Sequence, residues 1–73
     1  MEMTISSSKI AENIKKFRLS RNMTQVELAD KLGYSERQIR RLESSGTYNL
    51  QIIDVVSKAL NISALDILGY RMS

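Results

Sequence analysis

Residues 24–43 have the sequence TQVELADKLGYSERQIRRLE, and this stretch predicts two short helices joined by a tight turn. A Ser or Thr followed three residues later by Glu or Gln caps a helix N-terminus, because each side chain bonds a free backbone N–H of the other residue. The pattern occurs twice, as Thr24 with Glu27 and as Ser35 with Gln38. Each predicted helix therefore has its own start signal.

Apolar residues in this stretch share one face of each predicted helix. They recur at the three- and four-residue spacing of a buried stripe. These residues are Leu28, Ala29, Leu32, Ile39 and Leu42. Gly33 separates the two sets, and glycine readily adopts the left-handed conformation with which many helices end. The small side chain of Ala29 lets the helices cross closely, so the stretch predicts a helix-turn-helix.

The second helix is expected to expose a basic face. Its outward positions are Glu36, Arg37, Arg40, Arg41 and Ser44. Three arginines on one short surface favour a polyanionic partner, and a second helix lying in the DNA major groove is the known use of this motif. Arginine bonds guanine O6 and N7, whereas glutamate accepts from cytosine N4. We expect Arg37 and Arg41 to contact bases, with Glu36 and Arg40 next.

Some of these assignments have alternatives. Glu36 and Arg40 are four residues apart and can pair with each other on the helix surface, which would withdraw both from DNA. Gln38 can complete its capping box or bind adenine through its amide, and we favour a mixed role that keeps it among the DNA-binding candidates.

The stretch resembles the DNA-binding domain of the phage-repressor and Cro type, the XRE family. The matching residues are Gln25, Leu28, Ala29, Gly33, Ser35, Ile39, Leu42 and Glu43, followed by the run from Lys58 to Ser63. The resemblance covers residues 9–69. It implies an all-α, compact five-helix lambda-repressor-like fold in which helices 2 and 3 form the helix-turn-helix and residues 35–44 are the recognition helix.

The resemblance also implies roles for individual residues. Arg18 and Glu43 match a partly buried ion pair that joins helices 1 and 3; the alternative is two unrelated surface charges. Gln25 matches a residue that bonds the DNA backbone and often braces the first recognition residue. A helix N-terminus suits a phosphate, because its first N–H groups are free and its dipole is positive there. Ser35, at the start of the recognition helix, is also expected to lie at the DNA.

Residues 44–49, SSGTYN, predict a turn-rich connection after the recognition helix. Ser45, Thr47 and Tyr48 are candidates for contacts to DNA phosphates. In the resembled family a Gly usually follows the Glu by two residues, whereas Gly46 follows Glu43 by three. The Pro that commonly opens helix 4 is also missing, so this loop departs from the family pattern.

The totals limit what the chain can be. Its 73 residues include no Cys and no His, which excludes a disulfide framework and a Cys/His zinc site. We expect one DNA-binding domain at residues 9–69, a flexible N-terminal tail at 1–8 and a short C-terminal tail at 70–73. No cofactor or metal is expected. Because the acidic residues are spread as caps and surface charges rather than as a facing pair, we do not expect an enzyme.

Charge and hydropathy agree with this interpretation. The formal net charge is +3, and nine of the eleven Lys and Arg residues lie in residues 1–43. The charge thus accompanies the helix-turn-helix, which suits nucleic-acid contact there. No apolar run approaches the ~20 residues of a membrane helix, and the N-terminus lacks a signal-peptide core. We expect a cytoplasmic location.

Helix 1 precedes the central stretch, and its boundaries are predicted from capping and spacing. It is expected from Lys9 to Arg21 with Ser8 as its cap. Ile10, Ile14 and Phe17 then form its buried stripe. Asn22 follows, where a left-handed residue would end the helix, and Asn tolerates that conformation better than most residues.

Helix 4 is predicted from Leu50 to Leu60, and a short helix 5 follows. The two residues expected to cap helix 5 are Ser63 and Asp66, and Gly69 ends it. The apolar residues at core spacing in these two helices are Leu50, Ile53, Val56, Leu60, Leu65 and Leu68.

A second apolar row on these helices predicts a partner surface, because exposed apolar patches mark interaction sites. The predicted two-fold dimer interface consists of Ile52, Val55, Ala59, Ile67 and Tyr70. The alternative is that helix 5 and the C-terminal tail fold back over this row.

Together these features predict a homodimeric, sequence-specific DNA-binding regulator, most simply a repressor, that binds double-stranded DNA at a palindromic operator. The alternative is an antitoxin or another protein-interaction module whose C-terminal helices bind a partner protein.

Overall fold

A computed structural model describes residues 5–70 of the chain. Within these residues the chain forms five α-helices and no strand. The helices are α1 (Ser7–Ser20), α2 (Gln25–Leu32), α3 (Glu36–Ser45), α4 (Leu50–Leu60) and α5 (Ala64–Leu68). The predicted all-α, five-helix fold is therefore confirmed. Across the same residues no helix is long and apolar enough to span a bilayer.

Local capping explains where the helices start and stop. Both halves of a capping box are formed at α2, α3 and α5, where Thr24, Ser35 and Ser63 are the N-cap residues. The helix ends use left-handed residues, as expected from their backbone tolerance. Gly33 has φ 72° after α2, and Asn22 has φ 56° after α1. These local predictions are confirmed.

The start of α1 differs from the prediction. The N-cap is Ser6, whose hydroxyl accepts a hydrogen bond from the Lys9 N–H, and not Ser8. The backbone N–H of Ser7 donates to the Tyr48 hydroxyl over 3.0 Å. This contact from the distant α3–α4 loop provides a partner for an N–H of the first turn. Residues 1–4 and 71–73 of the predicted tails lie outside the described residues.

The core is formed by apolar residues from all five helices. Helix α1 packs against α3 and α5, and α4 packs against α2 and α5. The largest fully buried side chains are Ile10, Ile14, Leu28, Ile39, Ile53, Val56, Leu60 and Ile67. Two polar contacts connect distant parts of the chain around this core. Asn13 Nδ2 donates to the Ile67 carbonyl, and Arg21 Nε donates to the Leu60 carbonyl, each over 2.9 Å.

Three apolar residues lie on other sides of their helices than predicted. Ile67, assigned to a dimer surface, is 0% exposed, whereas Leu65, assigned to the core, is 44% exposed. The Asn13 bond to the Ile67 carbonyl accompanies the packing of α5 against α1. Ala64, Ile67 and Leu68 consequently contact the core. Leu50 was also assigned to the core, but it is 74% exposed at the first position of α4.

Gly46 lies where the α3–α4 loop meets α1. A Cβ atom at this residue would lie 1.9 Å from the Ser7 carbonyl oxygen, far inside van der Waals contact. Its φ of 73° is also one that residues with a side chain rarely adopt. The glycine that departs from the family spacing is thus required by the close approach of the two backbones.

We predict that Gly46→Ala lowers the free energy of unfolding by about 3 kcal/mol or more, because both its backbone, at φ 73° and ψ −166°, and the Ser7 contact oppose a Cβ. Gly33→Ala is the matched control, since Gly33 has φ 72° with nothing within 4 Å of its Cβ position. Its expected cost is only the left-handed penalty of about 1–2 kcal/mol. Urea unfolding followed by circular dichroism measures both, and equal costs would contradict the packing argument.

Candidate nucleic-acid interface

The exposed face of α3 carries the arginines selected from the sequence. Burial of Ile39 and Leu42 fixes the rotation of this helix about its axis. Arg37, Arg41 and Ser44 then lie four and three residues apart on the opposite side, which is the spacing of neighbours on one helical face. All three side chains are exposed. The structure therefore presents two arginines one turn apart on an open surface.

Glu36 and Arg40 flank this face and form an ion pair. Arg40 Nη2 lies 3.9 Å from Glu36 Oε1, and both side chains are about half exposed or more. Exposed pairs of this kind contribute little stability. The two residues therefore pair with each other, which is the alternative stated from the sequence. A pair this weak and exposed can exchange partners.

Ser35 and Gln38 bond each other at the N-terminus of α3. Gln38 Oε1 accepts the Ser35 N–H over 2.7 Å, and Ser35 Oγ accepts the Gln38 N–H over 3.2 Å. This arrangement uses the Gln38 oxygen and leaves its amide N–H groups directed elsewhere. The structure thus shows the capping part of the mixed role expected for Gln38. The cap does not use the amide N–H groups.

The N-terminus of α2 presents backbone donors beside α3. The Glu27 N–H bonds Thr24 Oγ1, whereas the N–H groups of Gln25 and Val26 have no partner within the helix. The Glu27 carboxylate accepts the Thr24 backbone N–H over 2.8 Å. This bond, followed by one to the Thr24 side chain, lowers the pKa of Glu27 below its usual value of 4.5. Glu27 therefore stays ionised near neutral pH and holds the cap closed.

Arg18 and Glu43 form a buried ion pair between α1 and α3. Arg18 Nε and Nη2 donate to the two Glu43 carboxylate oxygens over 2.5 and 3.0 Å. The side chains are only 7% and 3% exposed. Arg18 Nη1 also donates to the Met23 carbonyl over 2.6 Å, in the segment that leads into α2. The pair thus connects three helices at one point.

Gln25 joins this cluster and not the start of the recognition helix. Its Nε2 donates to Glu43 Oε1 over 3.2 Å. The bracing of a first recognition residue, which the resemblance implied, is therefore not the arrangement among the described residues. Sequence reasoning missed this link, because eighteen residues separate its ends and neither residue type indicates the other.

The α3–α4 loop lies beside the last turn of α3. Ser45 is the final residue of α3 and is exposed, and Thr47 is half-buried with its Oγ1 accepting the Asn49 N–H. The recognition helix therefore extends one residue beyond the predicted end at 44. Tyr48 is 64% exposed while its hydroxyl bonds Ser7, so in the unbound chain this group already has a partner.

A hollow of about 460 Å³ continues the α3 surface toward the loop and the start of α4. It is lined by Tyr34, Gln38, Arg41, Leu42, Ser45, Gly46, Thr47 and Ile52. Arg41 therefore borders both the open face of α3 and this concave region. The geometry brings together Arg41, Ser45 and Thr47, which the sequence placed on two separate elements.

The predicted dimer row does not form one surface. Ile52 and Ala59 are half-buried and pack against the core, and Ile67 is fully buried. Val55 and Ala59 border a second hollow beside Leu32 of α2. Tyr70 is half-buried beyond α5. Of the five residues of the predicted interface, Ile67 is therefore not on the surface, because α5 turns it inward, whereas the other four are partly exposed.

Comparisons with known proteins identify the family. The sequence model described as "Helix-turn-helix" matches residues 14–67. The antitoxin PezA of Streptococcus pneumoniae is 33% identical over 61 residues, which cover 82% of this chain and 39% of the antitoxin. This chain therefore spans well under half the length of that relative.

Solved structures share the arrangement of the helices. A hypothetical transcription factor, NHTF from Neisseria, is similar with a TM-score of 0.78 at 25% identity, covering 85% of this chain and 72% of that one. A mutant of the restriction-modification controller protein C.Esp1396I gives 0.77 at 29% identity, covering 89% and 92%. A nucleoprotein complex of C.Esp1396I gives 0.73 at 27% identity, covering 94% and 100%.

We predict that Glu43→Ala lowers the free energy of unfolding by about 3–5 kcal/mol, because it leaves the Arg18 guanidinium buried without its partner. Lys58→Ala removes one member of the exposed Asp54–Lys58 pair and is the matched control. Its effect should not exceed about 0.5 kcal/mol. Chemical unfolding measures both variants. Similar losses would show that the buried pair contributes no more to the free energy of unfolding than the exposed pair.

Proposed function

The chain belongs to the helix-turn-helix family of XRE type, whose members are DNA-binding transcription regulators, and on this premise we propose that it is a homodimer that binds a palindromic operator. Each subunit would place α3 in the major groove. The observation that supports this best is the open α3 face, with Arg37 and Arg41 one turn apart opposite a buried apolar stripe.

Base contacts are assigned to the face of α3. Arg37 and Arg41 are the first candidates, because arginine forms paired hydrogen bonds with guanine O6 and N7. Neither arginine has a salt bridge within residues 5–70, whereas Arg40 is paired with Glu36. Glu36 and Arg40 would contact bases only by leaving each other. Gln38 would contribute the amide N–H groups that its cap does not use.

Backbone contacts are assigned to the two ends of the motif. At the N-terminus of α2, the side chain of Gln25 and the free N–H groups suit a phosphate. At the other end, Ser45 and Thr47 offer hydroxyl groups beside Arg41 at the edge of the 460 Å³ hollow. Ser35, whose N–H is used by Gln38 and whose Oγ accepts the Gln38 N–H, would approach the DNA through its hydroxyl hydrogen.

Dimerisation is assigned to a surface around α5, which keeps Tyr70 of the predicted row. Leu65 is the exposed apolar residue of α5, and the half-buried Ile62 and Tyr70 precede and follow this helix. The Tyr70 N–H donates to the Leu65 carbonyl, so the two residues lie together at the helix end. A two-fold dimer would place two recognition helices ~34 Å apart, in successive major grooves.

Repression is the simplest mode of action for such a unit, because occupancy of a promoter needs only DNA binding. The controller protein C.Esp1396I, known also as a nucleoprotein complex, has this fold over 94% of the present chain. A second candidate function is DNA binding within a toxin–antitoxin pair, which the similarity to antitoxin PezA favours. A chain that stays monomeric at micromolar concentration and binds a partner protein would favour the second function.

We predict that selection from a random duplex pool enriches a two-fold palindrome. Arg37→Ala should weaken the base preference at one symmetric position of this palindrome. Loss of a paired contact to guanine should cost about 1–3 kcal/mol in affinity for the preferred site. Lys58→Ala is the control, because it removes a charge from α4, outside the α3 face. It should leave the enriched DNA sequence unchanged. Enrichment of no sequence above general, salt-sensitive binding would refute the proposal.

We predict that Leu65→Lys weakens the dimer at least about tenfold, because it places a charge in the apolar surface around α5. Leu19→Lys is the matched control, since Leu19 is an exposed leucine of α1. Sedimentation equilibrium of the two variants and the wild type gives the dissociation constants. Equal effects, or a wild-type chain that is monomeric throughout, would contradict the α5 dimer.

A further inference from the structure

One carboxylate connects the buried ion pair to the DNA-facing end of α2. Glu43 accepts hydrogen bonds from Arg18 Nε and Nη2 and, through Oε1, from Gln25 Nε2 over 3.2 Å. Gln25 is the first residue of α2, and Glu43 lies in the last turn and a half of α3. Glu43 of α3 therefore binds the side chain of the first residue of α2.

The chemistry of this contact fixes the orientation of the Gln25 amide. An ionised carboxylate has acceptors only, so it attracts the NH2 group and repels the amide oxygen. Of the two Nε2 hydrogens, one is used by Glu43. The second N–H and the carbonyl oxygen remain, and each has a defined direction because the amide is planar.

This amide belongs to the first residue of α2, at a corner of the fold that is rich in donors. The backbone N–H groups of Gln25 and Val26 have no partner within α2, and a helix N-terminus attracts anionic oxygen. If the amide were reversed, its carbonyl oxygen would occupy the place of the free N–H. A phosphate oxygen would then meet an acceptor instead of a donor.

We infer that Glu43 is a positioning residue for DNA binding, which orients the Gln25 amide so that its free N–H meets a backbone phosphate. This inference rests on the proposed DNA-binding function and adds a second role to the residue that neutralises Arg18. Gln25 contacts the DNA, and Glu43 acts only through Gln25.

Glu43→Gln tests the inference because it keeps the shape of the side chain. The shorter Arg18 bond, from Nε over 2.5 Å, keeps the new amide oxygen at the Oε2 position. The NH2 group then takes the Oε1 position, where it faces both Arg18 Nη2 and Gln25, whose own amide must reverse. Glu43→Asp is the second variant, since it keeps the negative charge but withdraws the carboxylate from both Arg18 and Gln25 by one methylene. Each is combined with Gln25→Ala in a double-mutant cycle, which separates coupling from independent effects.

The expected result is a loss of about tenfold in duplex affinity for Glu43→Gln when Gln25 is present, and of less than about twofold when Gln25→Ala is already in place. Affinity is measured by fluorescence anisotropy at one salt concentration, on the selected duplex and on a random-sequence duplex, at a temperature where all variants are folded. Ile53→Val, a core change in α4, is the stability control and should leave affinity unchanged.

The side-chain amide resonances of Gln25 give a second readout, because reversal in Glu43→Gln moves its N–H groups away from residue 43 and shifts both proton signals. Equal affinity losses with and without Gln25 would overturn the inference and leave Glu43 a purely structural role. If the wild-type chain binds neither duplex, the proposed function fails, whereas sequence-specific binding with an additive cycle removes only the positioning role.

Discussion

The buried carboxylate of Glu43 is the constraint on which the rest of the structure depends. A charge taken out of water is costly unless an opposite charge and further hydrogen bonds meet it. Here one guanidinium and one amide supply three donors to it. Because these donors come from α1 and α2, satisfying the charge fixes both helices against α3. An apolar residue at this position would pack without demanding any such geometry.

The exposed arginines follow from the same constraint. Ile39, Leu42 and Glu43 occupy adjacent positions around α3, and all three side chains are directed inward. A helix has only one side left once that arc is buried, and that side carries Arg37 and Arg41. The mutual repulsion of the arginines is tolerated because they face open solvent and the Arg40 charge is partly offset by Glu36. The surface proposed to meet DNA is thus the necessary complement of the buried side.

What could be predicted from the sequence is what short-range chemistry decides. A capping box involves two residues three positions apart, and a single left-handed Gly or Asn can end a helix. The helix ends at Thr24, Gly33 and Ser63 could therefore be predicted from residue types. The side of α5 that faces the core could not be predicted, because five residues make too few turns for the apolar spacing to define a face. The contact between Tyr48 and Ser7 at the start of α1 was equally inaccessible, since it spans forty-one positions. The Gln25–Glu43 link belongs to the same class of long-range polar contacts.

These long-range contacts explain how so small a domain without disulfides holds a functional surface in place. Chains of this size have little apolar core to spare, and the C-terminal end of α3 is held against α1 at two points, through Glu43 and through the loop at Gly46. Helix α1 contributes none of the proposed base contacts, yet it sets the position of the helix that makes them. The residues that stabilise this fold therefore also set the surface proposed to bind DNA, and substitutions far from the arginine face can alter that surface without removing any residue of it.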